Sequence, residues 1–345
     1  MRPRELYGDL NRDQYFRTNM AVGIFSHVYS FNSKTLMRTT LAFSGQGVNS
    51  KHYQVLRYPS FKPKDTLPNI LDYNFNEYKT TVSWFVKHKI NSRNSFKTGF
   101  FANVISINFY DKIKINSLYD TIPTVIQNKP YKLREEVETS FCLIQPYISF
   151  VHKFSDKLTL NAGLFTQLLT LNSKYAIEPR ASIKYDIRNN QSISLAYGLH
   201  SQMQPTYIYY ARPDSIVNNG VLIANYGRTP TNKNLDFSKS QHVVLGYDIF
   251  PSKYVRIKTE LYYQYLWNIP VYVMPNSTSL LNRGATFTRF FPQYTMVNNG
   301  TGYNYGLEFT LEKLFHKHWF LLYLSLIHIS EPTRLRRISY AVFCL

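Results

Sequence analysis

The stretch IKYDIRNNQSISLAYGLHS, Ile183 to Ser201, alternates between apolar and polar residues on both sides of a kink. Ile183, Tyr185 and Ile187 interleave with Ser182, Lys184 and Asp186. After Arg188-Asn189-Asn190, Ile193, Leu195, Tyr197 and Leu199 interleave with Ser192, Ser194, Ala196, Gly198 and His200. A period of two sends each set to its own face of a pleated strand, so the stretch reads as a hairpin with one apolar and one polar side. What the apolar side touches decides the fold.

The same pattern recurs along the chain. Phe16, Met20, Val22, Ile24 and Val28 line one face of the segment from about 14 to 30, and Asn32-Ser33-Lys34 turns it into 35 to 49. Tyr78, Val82, Trp84 and Val86 share a face before the turn Asn91-Ser92-Arg93-Asn94, with a return through Phe100, Val104 and Ile105. A pair hinged at Ser155-Asp156-Lys157 continues with Leu158, Leu160, Ala162, Leu164 and Leu168. Val243, Leu245, Tyr247 and Ile249 turn at Pro251-Ser252-Lys253 into Val255, Ile257, Leu261, Tyr263 and Tyr265. Tyr303, Tyr305, Leu307, Phe309 and Leu311 reach His316-Lys317-His318 and an apolar run from Trp319. The alternation blurs at Ala102 to Phe109 and near Pro146, where a bulge is expected to shift the register. About twelve strands result.

Turns within pairs are tight, whereas 50–73, 113–136, 202–239 and 267–302 read as long, irregular connections. Several structureless loops of more than about 15 residues are uncommon in a compact soluble domain. Short connections on one side and long ones on the other are the build of a transmembrane β-barrel, whose strands need about 9–11 residues to cross. The fold expected is therefore all-β, a transmembrane antiparallel barrel, with the apolar side on lipid and the polar side on a wet lumen. Closing the sheet makes this possible, because every backbone N–H and C=O then has a partner where water is absent. Twenty-nine Tyr and 24 Phe, a 16% aromatic share, suit an apolar phase meeting water. A large soluble sandwich, with the same alternation pointing inward, is the competing architecture.

A net charge of +19 would suit a nucleic-acid binder, but the basic residues are scattered singly and form no stripe or known nucleic-acid motif. Cys142 and Cys344 cannot make a disulfide framework or a cysteine-based metal site. No apolar window of transmembrane-helix length occurs, and MRPRELYGDL has no signal-peptide core.

IEPRASIKYDIRNNQSISLAYGLHSQMQP, Ile177 to Pro205, resembles the barrel of TonB-dependent receptors of the Bacteroidetes type, in which a Glu-Pro-Arg strand start and a Tyr-Gly-x-His-Ser-Gln-x-Gln-Pro strand end occur together. NGTGYNYGLEFTLEKLF, Asn299 to Phe315, is similar to a later strand of the same receptors, and the likeness covers most of Met1 to about Phe320. The resemblance implies an outer-membrane barrel that imports a scarce external ligand, a siderophore, oligosaccharide or peptide. It also implies an N-terminal plug and an energy-transducing TonB-type partner, besides the lipid around the barrel. Barrels of that class reach 22 strands, so this chain is expected to be a fragment, with plug, coupling box and signal peptide upstream of Met1. A passive porin or adhesin and a soluble β-rich binding protein are the alternatives.

Leu324 to Arg334, LSLIHISEPTR, resembles the in-frame translation of a transposon-type sequencing adapter, and LRRISYAVFCL follows without alternation. The expected boundaries are 1–323 for the partial barrel and 324–345 for a non-native tail.

No catalytic constellation, metal set or cofactor motif emerges. His316 and His318 flank a turn. Gly300-x-Gly302 and Gly306 miss the dinucleotide spacing, and Glu135, Glu136 and Glu138 read as a charged loop rim. The loop QPTYIYYARPD, Gln204 to Asp214, offers Tyr207, Tyr209, Tyr210 and Arg212 to stack on and hydrogen-bond to a ligand. An interfacial aromatic belt is the alternative for these tyrosines.

Overall fold

The structure is a computed structural model that describes residues 12–57, 63–114, 130–213, 215–218, 221–224, 229–274, 278–282, 292–316 and 318–330. Twelve strands form one antiparallel sheet. They are β1 (Arg12–Asn32), β2 (Thr35–Arg57), β3 (Pro63–Lys89), β4 (Asn94–Lys114), β5 (Tyr131–Lys153), β6 (Leu158–Leu169), β7 (Lys174–Arg188), β8 (Gln191–Gln202), and, after an insertion, β11 (Ser238–Ser252), β12 (Val255–Tyr272), β13 (Met296–His316) and β14 (Trp319–Ser330). The insertion carries a one-turn helix α1 (Thr206–Tyr210) and a small hairpin of β9 (Ser215–Asn218) and β10 (Val221–Ala224). Each strand of the large sheet pairs with its neighbour in the chain, β8 pairing with β11 across the insertion, and β1 and β14 form its two edges.

All six tight turns expected from the sequence are present, and side chains that cap their own backbone hold several of them. Asn91 Oδ1 accepts hydrogen bonds from the Arg93 and Asn94 amides at 2.9 and 2.8 Å. Ser155 Oγ accepts from the Lys157 and Leu158 amides at 3.2 and 3.1 Å, and Asn32 Oδ1 from the Lys34 amide at 2.9 Å. These are the local bonds that make Asn and Ser turn formers. At the last turn His318 sits at φ 70°, and the His316 ring stacks on Tyr254 with centroids 3.8 Å apart.

At the opposite end the strands run further than expected. β2 continues to Arg57 and β3 begins at Pro63, so most of 50–73 is paired sheet, not irregular loop. β12 reaches Tyr272 and β13 starts at Met296, which likewise shortens the 267–302 connection. A 27-residue strand such as β3 is about 90 Å long at roughly 3.3 Å per residue, far beyond what a bilayer requires.

The inner face of the sheet is defined here as the one that carries the insertion. On the opposite, outer face stand Ile183, Leu195, Tyr197, Leu245, Leu261 and Tyr263, each 44–52% exposed and uncovered by the rest of the described chain. In water, each such half-exposed side chain would forgo about half of the roughly 1.5–3 kcal/mol that full burial contributes. The inner face opposite them holds Ser182, Lys184, Asp186, Ser194, His200, His242, Gln264 and Asn304. The Ile183–Ser201 hairpin is oriented as its alternation implies.

On β1 the orientation differs from expectation. Its pairing with β2 puts Phe16, Met20, Val22, Ile24 and Val28 on the inner face, and Tyr15, Phe25, Tyr29 and Phe31 on the outer one. Both faces of β1 are apolar, so alternation could not choose between them; the register with β2 does.

The blurred region has a different cause from the expected bulge. β3 and β4 pair without a register shift, and the shift between β4 and β5 lies at Asp111/Lys112, beyond the blurred stretch. What changes is the environment. On β4, Phe100, Ala102 and Val104 face out and are followed on that face by Ser106 and Asn108, while Ile105, Ile107 and Phe109 are buried inside. On β5, outward Ile148, Ile144 and Cys142 give way to Ser140, Glu138 and Glu136, while Phe141 and Leu143 are buried inside. Ser106 and Ser140 hydrogen-bond through their hydroxyls at 2.7 Å where the outer face turns polar.

Replacing Asn91 by Ala removes an acceptor used by two turn amides. It is expected to destabilise the sheet by about 1–2 kcal/mol, read as a lower midpoint in denaturant unfolding.

Candidate functional site

Two described stretches of the insertion, 203–213 and 229–237, fold back onto the inner face at the long-loop end. Thr206 to Tyr210 makes a single turn, begun by the Ile208 amide donating to the Pro205 carbonyl at 2.9 Å. Its apolar side, Ile208, Tyr209 and Tyr210, joins Leu235 and Phe237 against Phe75, Ile105, Ile107, Phe109, Phe141, Leu143, Leu169, Ala176, Tyr272 and Met296. This is the buried core of the described chain, and it explains why Ile105 and Phe109 turn inward.

Polar bonds fix the segment to strands distant in sequence. Thr206 Oγ1 donates to Glu77 Oε2 on β3 at 2.7 Å, and the Arg212 amide donates to the Arg134 carbonyl on β5 at 3.1 Å. The Arg212 guanidinium reaches the Glu136 carbonyl at 3.3 Å and its carboxylate at 3.9 Å. Arg134 in turn makes a forked contact with buried Asp111 at 2.7–3.1 Å.

The root of the segment is pinned by amide side chains. Asn172 Nδ2 donates to the carbonyls of Lys233 and Leu235 at 2.9 and 2.8 Å, and Gln204 Nε2 to the Asp236 carbonyl at 2.8 Å. Asn232 Oδ1 accepts from the Met296 amide at 3.0 Å. Asn298 Nδ2 donates to the Asn268 carbonyl at 2.8 Å, and Asn268 Nδ2 to Asp236 Oδ2 at 3.0 Å. Asn268 has φ 61° beside the β12 register shift, a left-handed position that Asn tolerates better than most residues. Sequence reasoning missed these residues, because an isolated Asn or Gln in a loop has no spacing signature; only the folded backbone shows what each amide binds.

The four residues singled out in sequence are thus brought to one place, but not into one environment. Tyr209 is wholly buried and Tyr210 nearly so, whereas Tyr207 and Arg212 are half-buried. None of the three tyrosines stands on the outer face, where a belt at the membrane surface would place it. Asp214, the end of the same motif, lies outside the described residues. Of the acidic trio, Glu136 and Glu138 are exposed on the outer face as a charged rim, but Glu135 is buried on the inner one.

Immediately beneath the segment, Glu178 gathers donors on the inner wall. Oε1 accepts from Gln167 Nε2 at 2.6 Å, from the Ser201 amide at 2.9 Å and from the Ser201 hydroxyl, while Arg180 pairs with Oε2. Across the next strands, Asn304 donates to Gln264 at 3.0 Å and Gln264 to His242 Nε2 at 2.8 Å, and the His200 and His242 rings lie 4.8 Å apart. A wall of fixed donors and acceptors can hold water or a polar solute in place.

Tyr209 Oη accepts from the Gln204 amide at 3.0 Å, and burial pushes its pKa up to about 12, helped by nearby Asp236. The raised value means that the folded segment holds the phenolic proton longer than the unfolded chain does. Its stabilising effect is complete below pH 10 and is lost as pH rises towards 12. An absorbance titration of tyrosinate is expected to lose its latest-ionising phenol in Tyr209→Phe.

No family model and no curated protein sequence matches this chain. Solved structures do resemble it. The RagAB peptide importer in its closed-closed state has a TM-score of 0.57 and 9% identity, covering 93% of this chain and 38% of that one. The outer membrane transporter YddB from Escherichia coli has a TM-score of 0.58 and 10% identity, covering 92% and 43%. The pyoverdine outer membrane receptor FpvA from Pseudomonas aeruginosa PAO1 has a TM-score of 0.56 and 14% identity, covering 93% and 45%. The chain therefore spans less than half the length of these structures. Its twelve-stranded sheet has the fold of part of an outer-membrane transporter β-barrel.

Proposed function

We propose that the chain is part of the barrel of a TonB-dependent outer-membrane receptor that imports a scarce extracellular ligand. The observation that carries this reading is the pair of opposed faces. An uncovered apolar outer surface needs lipid, and a polar inner wall with a folded segment in its mouth needs a solute. The role is binding and passage, with no covalent chemistry.

In this reading residues 1–323 belong to the barrel, 324–345 are a non-native translation, and an N-terminal plug and a TonB-type energy-transducing protein complete the machine. Strand pairing runs on through Ser330, past the proposed boundary, but a β edge accepts any extended backbone and so does not discriminate native from foreign sequence. The similar structures include a peptide importer and a pyoverdine receptor, so a peptide or a siderophore is the ligand class of choice, with an oligosaccharide beside them. Capture falls to Tyr207 and Arg212, with Tyr209 and Tyr210 as the buried anchors that set their positions. A passive porin or adhesin would share the barrel but not the dependence on an energised partner.

Two measurements test this. In lipid vesicles, Leu195→Arg on the outer face should lower folding stability by about 2–4 kcal/mol, whereas Ser194→Arg on the inner face should change it little. Freely soluble full-length protein without heat-modifiable migration sinks the membrane reading. In cells, Tyr207→Ala with Arg212→Ala in the complete receptor should reduce uptake at least tenfold while leaving barrel assembly intact; unchanged uptake removes these two residues from the site.

A further inference from the structure

Above the apolar rows, the outer face of β1 and β2 carries a cavity of about 550 Å³ lined by Asp13, Tyr15, Arg17, Asn49, Lys51 and Tyr53, with Phe16 at its edge. The register makes it a ladder of outward cross-strand pairs, Asp13 with Tyr53, Tyr15 with Lys51 and Arg17 with Asn49. Tyr15 and Tyr53 meet edge to face at 5.8 Å. Arg17 and Lys51 are exposed, and neither has a carboxylate partner among the described residues.

Height gives this cavity its meaning. From the tight turn upward, the outer row of β1 reads Phe31, Tyr29, His27, Phe25, Gly23 and Ala21, and that of β2 reads Met37, Thr39, Leu41, Phe43 and Gly45. That is about ten residues, the length that spans a hydrocarbon layer. Asn19 and Gly47 follow, and then the cavity. Arg17 lies four residues above Ala21, about 10 Å along the membrane normal for a strand tilted by roughly 40°. This is the level of lipid headgroups, where Arg17 and Lys51, neither ion-paired among the described residues, stand beside two ring faces, with Asp13 on the cavity wall and Asp72 opposite Lys51 on β3.

We propose that this cavity binds the phosphorylated saccharide headgroup of an outer-leaflet glycolipid. Arg17 presents a planar fork that matches a phosphate, and Lys51 adds a second positive charge on the neighbouring strand. The rings of Tyr15 and Tyr53 offer apolar faces to the C–H side of a sugar, and Asn49 and Asp13 accept its hydroxyls. A phospholipid headgroup uses the cations but leaves the tyrosine pair idle. The proposal rests on the membrane orientation given above.

The test uses the complete receptor in detergent micelles, probed with lipid A, a bisphosphorylated acylated glucosamine disaccharide, by native mass spectrometry. Binding is expected to weaken at least tenfold in Arg17→Ala/Lys51→Ala and in Tyr15→Ala/Tyr53→Ala, with removal of the phosphates from the probe weakening wild-type binding to a similar extent. Equal binding by wild type and the Arg17→Ala/Lys51→Ala variant overturns the site. Displacement of lipid A by an equal concentration of glucosamine 6-phosphate overturns the lipid as the source of the headgroup. Heat-modifiable migration of each variant, measured in parallel, separates failure of the site from failure of the membrane reading.

Discussion

The constraint on which this structure depends is backbone hydrogen bonding where water is scarce. A strand whose outer neighbours are Ile183, Leu195 or Leu261 has nothing to offer its amides except the next strand. Neighbour-to-neighbour antiparallel pairing follows, as does the near absence of register shifts through the apolar stretches of β3, β4 and β5. A one-residue slip would send charges such as Lys184 and Asp186 to the apolar side and strand the greasy residues in the lumen, so sequence period and register enforce each other.

The same logic explains how far the sequence could be read. Six hairpins were legible because five place Asn, Ser or Asp between two alternating runs and the sixth a polar His-Lys-His, and the side chains of Asn91 and Ser155 do what those residue types do in isolation. The orientation of the Ile183–Ser201 hairpin was legible for the same reason. The face of β1 was not, since Val22 and Ile24 oppose Phe25 and Tyr29, and only pairing with β2 separates them. The upper extensions of β2 and β3 were also hidden. Lys51, Asp72 and Asn74 look like loop residues until the outer face is known to be wet at that height.

The candidate site was legible in part for a different reason. A run of tyrosines beside an arginine announces itself, but exposure is a property of the fold. Tyr209 became a buried anchor because Phe75, Ile107 and Phe141, from three different strands, present an apolar floor beneath α1. The amides of Asn172, Gln204, Asn232, Asn268 and Asn298 convert a long insertion into a fixed object, each binding a backbone group remote in the chain. Pre-ordering of this kind lowers the entropic cost of holding a ligand there.

The crossover at Ser106 and Ser140 has a mechanical corollary. Below it the strands are dressed for oil outside and water inside; above it the dress is reversed, with Glu136 and Glu138 outside and Ile107 and Phe141 inside. If the sheet sank, carboxylates would enter hydrocarbon; if it rose, leucines and tyrosines would be lifted into water. β4 and β5 therefore carry a waterline, and the depth at which the molecule floats is written into their side chains.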